Sequence, residues 1–332
     1  MTGFIRMWKM VRLGSVLTLC AVIFPSLALA RTDALTAGVN TEDADRFVAV
    51  FEAAEGKPAA ADLQEGYLEP GSRAIEIFTP QRIQNAEHLA AVISKNPQIY
   101  RRAIDVCLPA AKEASGDLRA IYLAFEGLLD EPDLPEVHAV FGANNSGGTA
   151  APGAQVLGLE VLCRLADTEE ELRRTLLTFF AHETVHALQP PENRDTLLKD
   201  PLLSAIMREG VADFVAFLVT GKIPGPERDA WAREREPFIW HEFAKDRAAL
   251  KGKSVDEVLS ARSPLRRWVA NAGNAPEGWP DELGYWLGMR ICMAYFEAAE
   301  DKRAAVRILL ETQDFAPVLV KSGYAERFEA RR

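Results

Sequence analysis

Apolar residues recur at three- and four-residue intervals through most of this chain and alternate only in a short central stretch. Helical spacing marks residues 41–54, 79–94, 100–114 and 117–129. Residues 137–142 and 155–162 read as strands on either side of a Gly/Asn/Ser/Ala loop. Helical spacing returns over Glu169–Leu188 and from Pro201 to about 219. A mostly helical, aromatic-containing stretch follows, then a polar segment punctuated by proline and glycine at 270–280. A long helix starts near Pro280 or Asp281 and runs to about 299, and two shorter helices close the chain, one near 315–321. Residues 31–40 read as a loose leader, and there is no internal repeat. The expected class is α+β, predominantly helical, with a small sheet preceding the helix over Glu169–Leu188.

That helix carries the chain's most distinctive chemistry. Thr168 with Glu171 fits a capping box, the first turn is acidic, and Pro190 and Pro191 stop the helix. Leu172, Leu176 and Phe179 form an apolar stripe that His182 and His186 continue. In His182-Glu183-Thr184-Val185-His186 the two histidines lie one turn apart on one face, so both imidazoles reach one Zn²⁺. The glutamate between them then sits beside a water whose proton it can take. The plain alternative is a pair of core histidines bonded to backbone.

A catalytic zinc site needs a third protein ligand and one open position. Asp200 can cap and Pro201 can begin a second helix, on which Glu209 and Asp213 are four apart. Ile206, Ala212, Val215, Ala216 and Phe217 make this an inward-packing helix, where carboxylates need a reason to be. Ligation by Glu209 is one reason, and a hydrogen bond from a zinc histidine to Asp213 is another. A solvated acidic edge near Arg208 is the alternative. With the histidine pair upstream, the metal reading leads: one Zn²⁺ per chain on His182, His186 and Glu209, with Glu183 as general base.

At this point the chain resembles the gluzincins, thermolysin-like zinc peptidases in which H-E-x-x-H on one helix is completed by Glu-x-x-x-Asp on the next. It is also similar to a bacterial group of zinc-dependent proteases related to the DUF2268 family. The residues that carry this second resemblance are Gly147-Gly148-Thr149, Glu209-Gly210-Val211-Ala212, Gly284-Tyr285-Trp286-Leu287-Gly288 and Ser322-Gly323-Tyr324. The resemblance implies a zincin-like core and a peptide or protein substrate. It also implies that a strand flanking Gly147, Gly148 and Thr149 holds an extended substrate by main-chain hydrogen bonds. Gly147 and Gly148 themselves read more readily as turn residues. Gly284 and Gly288 allow a close helix approach that would bring Tyr285 over the metal as an oxyanion donor, with His241 and Tyr324 as alternatives. His88 and His138 read as ordinary surface or strand residues.

Composition sets the remaining bounds. Arg6, Lys9 and Arg12, an apolar core over 13–24, and Ala28-Leu29-Ala30 read as a secretory signal over residues 1–30, leaving Arg31 first. Cys20 follows Leu19, which is too large for a lipid-attachment site. Removing three basic and no acidic residues takes the formal charge from −10 to −13, which excludes a nucleic-acid partner. The remaining 302 residues are expected to form a single periplasmic or secreted domain without a membrane anchor. Cys107, Cys163 and Cys292 allow one disulfide and leave an odd thiol. The leading expectation is an exported zinc metallopeptidase. The rivals are a zinc-binding module with little catalysis and a zinc hydrolase of a non-peptide amide or ester.

Overall fold

The computed structural model describes residues 32–130 and 132–329. The signal segment, Cys20 and Arg31 lie outside them. Among the described residues no helix is long and apolar enough to cross a membrane.

Among the described residues the protein is mostly helical, with one four-stranded sheet. The strands are β1 (Val39–Asn40), β2 (Glu136–Val140), β3 (Gly148–Ala151) and β4 (Ala154–Gly158), in the order β1-β2-β4-β3. β1, β2 and β4 are parallel, and β3 runs antiparallel to β4 at one edge. β2 and β4 are almost continuously buried, as interior strands covered on both faces must be. One continuous apolar core joins the sheet to the helices around it.

The helices that matter for the site are α1 (Leu159–Arg164), α2 (Glu169–Leu188), α3 (Pro201–Thr220), α4 (Pro226–Arg233), α5 (Glu236–Leu250) and α6 (Leu283–Ala298). The expected capping box forms: Glu171 N–H donates to Thr168 Oγ1 (3.2 Å) and Thr168 N–H to Glu171 Oε2 (3.1 Å). α3 ends at Gly221, whose φ of 66° is the left-handed stop that glycine favours.

Several expectations change. Residues 32–40 are tied down rather than loose: Thr32 N–H donates to Leu134 C=O (3.3 Å), Ala34 and Ala37 are small enough to bury, and Val39-Asn40 joins the sheet. The helix expected over 79–94 breaks at Gln84 (φ 68°) and restarts at Ala86 under an Asn85 cap. Residues 100–114 stay helical but widen at Ala103–Cys107, because Pro109 has no N–H and its ring crowds the Asp105 carbonyl. The strand expected over 155–162 stops at Gly158, and its apolar continuation is the buried helix α1. On α2 it is Phe180, not Phe179, that is fully buried. Asp200 does not cap α3; its carboxylate instead accepts from Arg247 Nη2 (2.6 Å). Gly148 belongs to a strand, and the turn falls later, at Pro152-Gly153 (Gly153 φ 76°).

Cys107 and Cys163 form a disulfide across 56 residues, and Cys292 is buried and free.

Candidate metal centre

α2 and α3 pack side by side, and three side chains converge between them. His182 Nε2 lies 3.1 Å from His186 Nε2 and 3.4 Å from Glu209 Oε2; His186 Nε2 lies 3.1 Å from the same oxygen. Donors at the corners of a tetrahedron around Zn²⁺, with bonds near 2.0–2.1 Å, stand about 3.3 Å apart. The observed triangle has that size.

The outward nitrogens decide what the triangle demands. His182 Nδ1 lies 3.0 Å from Asp213 Oδ1, whose carboxylate only accepts. His186 Nδ1 lies 2.8 Å from Gln189 Oε1, and the Gln189 amide is oriented because its Nε2 donates to Arg208 C=O (3.1 Å). Both Nδ1 atoms therefore carry a proton, and both Nε2 atoms turn lone pairs toward each other and toward a carboxylate. A proton on one nitrogen relieves part of this repulsion; a cation at the centre relieves all of it. His182 expresses the demand for positive charge. Burial opposes its protonation, yet the Asp213 and Glu209 carboxylates hold its pKa well above the usual imidazole value. Burial likewise opposes ionisation of Glu209, but the two imidazoles keep its carboxyl far below the ordinary range. Among the described residues His182, His186 and Glu209 are the group able to hold a metal ion.

Glu183 leaves α2 on the same turn, next to the histidine pair. It is buried and makes no hydrogen bond among the described residues, and burial raises its pKa against the pull of His182 and His186. It faces the start of β3, where a Cβ on Gly148 would lie 2.6 Å from Glu183 Oε1. Glycine at 148 is thus explained by close approach to this carboxyl rather than by a turn.

β3 is the open edge of the sheet. Gly158 N–H donates to Gly147 C=O (3.0 Å), and hydrogen-bonded pairs alternate along an antiparallel ladder, so Gly148 and Ala150 direct their main-chain groups to the free side. There Gly148 C=O accepts from Ser146 Oγ (2.8 Å). The Gly148 N–H and both main-chain groups of Ala150 have no partner among the described residues. Thr149 sits between them, paired with Val156.

α6 closes the site from the far side of α3. A Cβ on Gly210 would lie 2.3 Å from Gly288 Cα, and one on Gly288 would lie 2.0 Å from Ile206 C=O. This contact needs two glycines, and it brings Tyr285 against His182. The Tyr285 ring stacks on His182 (centroids 5.9 Å, planes 7° apart), and its hydroxyl has no partner among the described residues. Burial, then the Glu209 carboxylate, keep the phenol protonated well above the ordinary tyrosine value.

The other two oxyanion candidates lie elsewhere. Tyr324 donates to Glu236 Oε1 (2.7 Å) in a cluster with Trp240 and Phe328, and His241 is exposed on α5 with its Nδ1 on Pro237 C=O (2.9 Å). His88 is half-buried on the helix over Ala86–Lys95, and His138 sits buried on β2 beside Glu136.

Four site residues went unread in the sequence. Gln189 follows His186 by three residues, a spacing that could have flagged it. Arg228 on α4 donates to Asp213 Oδ2 (2.6 Å) and to Glu282 C=O (3.2 Å). Glu282, at φ 56°, has its carboxyl pushed up to about 6 by burial. Arg82 lies on a helical turn between β1 and β2, far from the histidines in sequence. No sequence spacing links these last three to the histidines. No protein-family model, curated protein or solved structure matches the chain, so the metal-binding reading stands on donor geometry.

Proposed function

We propose that this protein is an exported zinc-dependent peptidase of zincin-like architecture. The carrying observation is the triangle of two imidazole lone pairs and one carboxylate oxygen, held at tetrahedral spacing by partners on the outward nitrogens. Two imidazoles, one carboxylate and an open side make the donor set of a catalytic rather than a structural zinc. When bound, the ion supplies Lewis acidity that activates water at neutral pH.

The protein's own groups do the rest. Glu183, buried and unpartnered, takes a proton from the attacking water and returns it to the leaving amine. Asp213 and Gln189 fix the ring orientations of His182 and His186. Tyr285 donates its free hydroxyl to the oxyanion that develops on the substrate carbonyl. The unpaired edge groups of Gly148 and Ala150 favour a peptide over a small ester, because an extended main chain can complete that ladder. An antiparallel edge strand facing the first of two ligand-bearing helices supports the zincin-like reading. The signal pattern at the N-terminus and the Cys107–Cys163 disulfide support export.

The test is metal analysis of purified protein with a broad peptide-library digestion. Wild type is expected to hold one zinc and cut; Glu183→Gln keeps zinc and does not cut; His186→Ala loses the metal. Protein that fails to bind zinc stoichiometrically sinks the reading. Zinc-loaded protein that cuts no peptide, but hydrolyses small amides or esters, moves the function to that class. Zinc-loaded protein that does neither is a binding module.

A further inference from the structure

Arg82 is a guanidinium without an acid, placed at the open edge beside Glu183. It sits on a widened turn, Thr79–Ile83, where Gln84 N–H reaches back five residues to Thr79 C=O (2.7 Å). Pro80 forces the widening, since it cannot donate and crowds the carbonyl one turn back. Gln84 leaves the turn at a positive φ of 68°. The Arg82 backbone is pinned by Asn145 Nδ2, which donates to its carbonyl (3.0 Å). The side chain lies over the Phe78 ring (5.7 Å), and Nε donates to Ser146 Oγ (3.2 Å). Ser146 Oγ in turn donates to the outward-facing Gly148 C=O (2.8 Å), and Gly148 abuts Glu183. The guanidinium is thereby linked through two hydrogen bonds to the strand residue above the general base.

Its two terminal nitrogens make no hydrogen bond or ion pair among the described residues. The acid whose charge it feels is Glu183, and burial still lowers its pKa. A purely structural arginine in a half-buried site pairs with a carboxylate or with carbonyls, as Arg267 does with Asp246 and Glu242. Arg82 commits Nε to holding its plane and leaves the fork free. A guanidinium fork matches a carboxylate with two parallel hydrogen bonds. On a chain with formal charge −10, anionic ligands are repelled in general, so a local cation at this site acts selectively.

We propose that Arg82 is the specificity-determining residue of this site and binds a substrate carboxylate at the Gly148 end of β3. The group is either the C-terminal carboxylate of a short peptide or an Asp or Glu side chain close to the scissile bond. This inference rests on the peptidase reading of the His182/His186/Glu209 centre.

The experiment uses zinc-loaded protein and one N-acetylated peptide library in three forms: free C-terminal carboxylate, carboxamide without Asp or Glu, and carboxamide with a single Asp or Glu. Wild type is expected to prefer one carboxylate-bearing form over the neutral form by roughly tenfold or more, the range of a charge-assisted pair. Which form is preferred tells a chain terminus from a side chain. In Arg82→Gln the preference falls to near unity, and Arg82→Lys restores part of it, as a point charge without the fork would. A wild-type enzyme indifferent to the carboxylate, or a preference that survives Arg82→Gln, overturns the inference and leaves the peptidase reading intact. Retention of the same three forms on immobilised Glu183→Gln protein reads Arg82 without turnover. If nothing is cut yet carboxylate forms are retained through Arg82, hydrolysis of peptides fails and the anion site stands. Equal retention of all three forms overturns the site.

Discussion

His182 Nδ1 and Asp213 Oδ1 stand 3.0 Å apart across the α2–α3 contact, and the second Asp213 oxygen is held by Arg228 at 2.6 Å. The chain Arg228–Asp213–His182 fixes which imidazole nitrogen faces Glu209 and His186. Removing Asp213 therefore acts at a distance. Asp213→Ala is expected to weaken zinc binding roughly 10–100-fold in chelator competition, the usual cost of losing such a partner. It also removes the ion-pair partner of the largely buried Arg228, so thermal stability falls too, by up to about 3–5 kcal/mol. Asp213→Asn, which still accepts from His182, falls between. Wild-type zinc affinity in Asp213→Ala would show that the imidazole needs no outside partner.

Gly288→Ala tests the α3–α6 contact. The new methyl would meet the Ile206 carbonyl at 2.0 Å and Gly210 Cα at 2.9 Å, both backbone, so the helices must separate. The expected loss is about 3 kcal/mol or more, at the upper end of overpacking, because no side chain can swing aside. Glu209 precedes Gly210, so zinc affinity drops with stability. Gly127→Ala is the control: nothing lies within 4 Å of its Cβ and it ends a helix, so alanine there stabilises by about 0.5–1 kcal/mol. Equal melting temperatures for the two variants would contradict the contact.

What could be read from sequence was what is local. The helix α2 declares itself through Thr168, Glu171, the histidine spacing and Pro190, all within one segment, and Gly284 and Gly288 announced a close helix contact. The edge strand could not be read the same way. Gly148-Thr149-Ala150-Ala151 has little intrinsic strand preference, and its conformation comes from pairing with β4 over a Pro152-Gly153 turn. The run after Gly158 stays apolar whether strand or helix, because α1 is buried on every side, so periodicity there is silent. Arg82 and Arg228 join the site only because the chain folds back, and nothing in their neighbours foretells it.

Tyr285→Phe separates the hydroxyl from the ring. Phenylalanine keeps the stack on His182, so zinc content and melting temperature are expected to hold. Turnover should fall about 100-fold with little change in KM, as for loss of one oxyanion donor. The sign of the pH effect follows from the raised pKa: the phenol stays a donor past the ordinary tyrosine value, so it contributes no alkaline limb below that value. Unchanged kcat in Tyr285→Phe would remove the hydroxyl from the reaction.

Reducing the Cys107–Cys163 disulfide, or replacing Cys163 with serine, should cost about 2–5 kcal/mol, chiefly by freeing a long loop in the unfolded chain. Thiol titration of the denatured 31–332 chain checks the pairing. One free thiol, Cys292, is expected before reduction and three after. Three thiols in protein recovered from an oxidising compartment would rule the bridge out.

Glu160 is expected to make stability depend on pH. It is fully buried on α1, and its two oxygens accept from Gly142 N–H (3.0 Å) and Asn144 N–H (3.1 Å), which shapes the loop leading into β3. Burial is the largest influence and pushes its carboxyl up to about 7, despite those hydrogen bonds. A carboxyl raised in the fold holds its proton more tightly there than in the unfolded chain. Its contribution is therefore complete below the unfolded value of 4.5 and is lost as pH rises through about 7. A rise from 4.5 to about 7 corresponds to an effect of roughly 3–3.5 kcal/mol. Wild type should thus lose melting temperature from mildly acid to neutral pH, and Glu160→Gln, which stays neutral throughout, should lose much less. Glu160→Ala is expected to be worse than both at every pH, since it strands two buried N–H groups at about 1–3 kcal/mol each. Parallel pH profiles for wild type and Glu160→Gln would show that Glu160 is ionised throughout, with the two N–H donors outweighing burial.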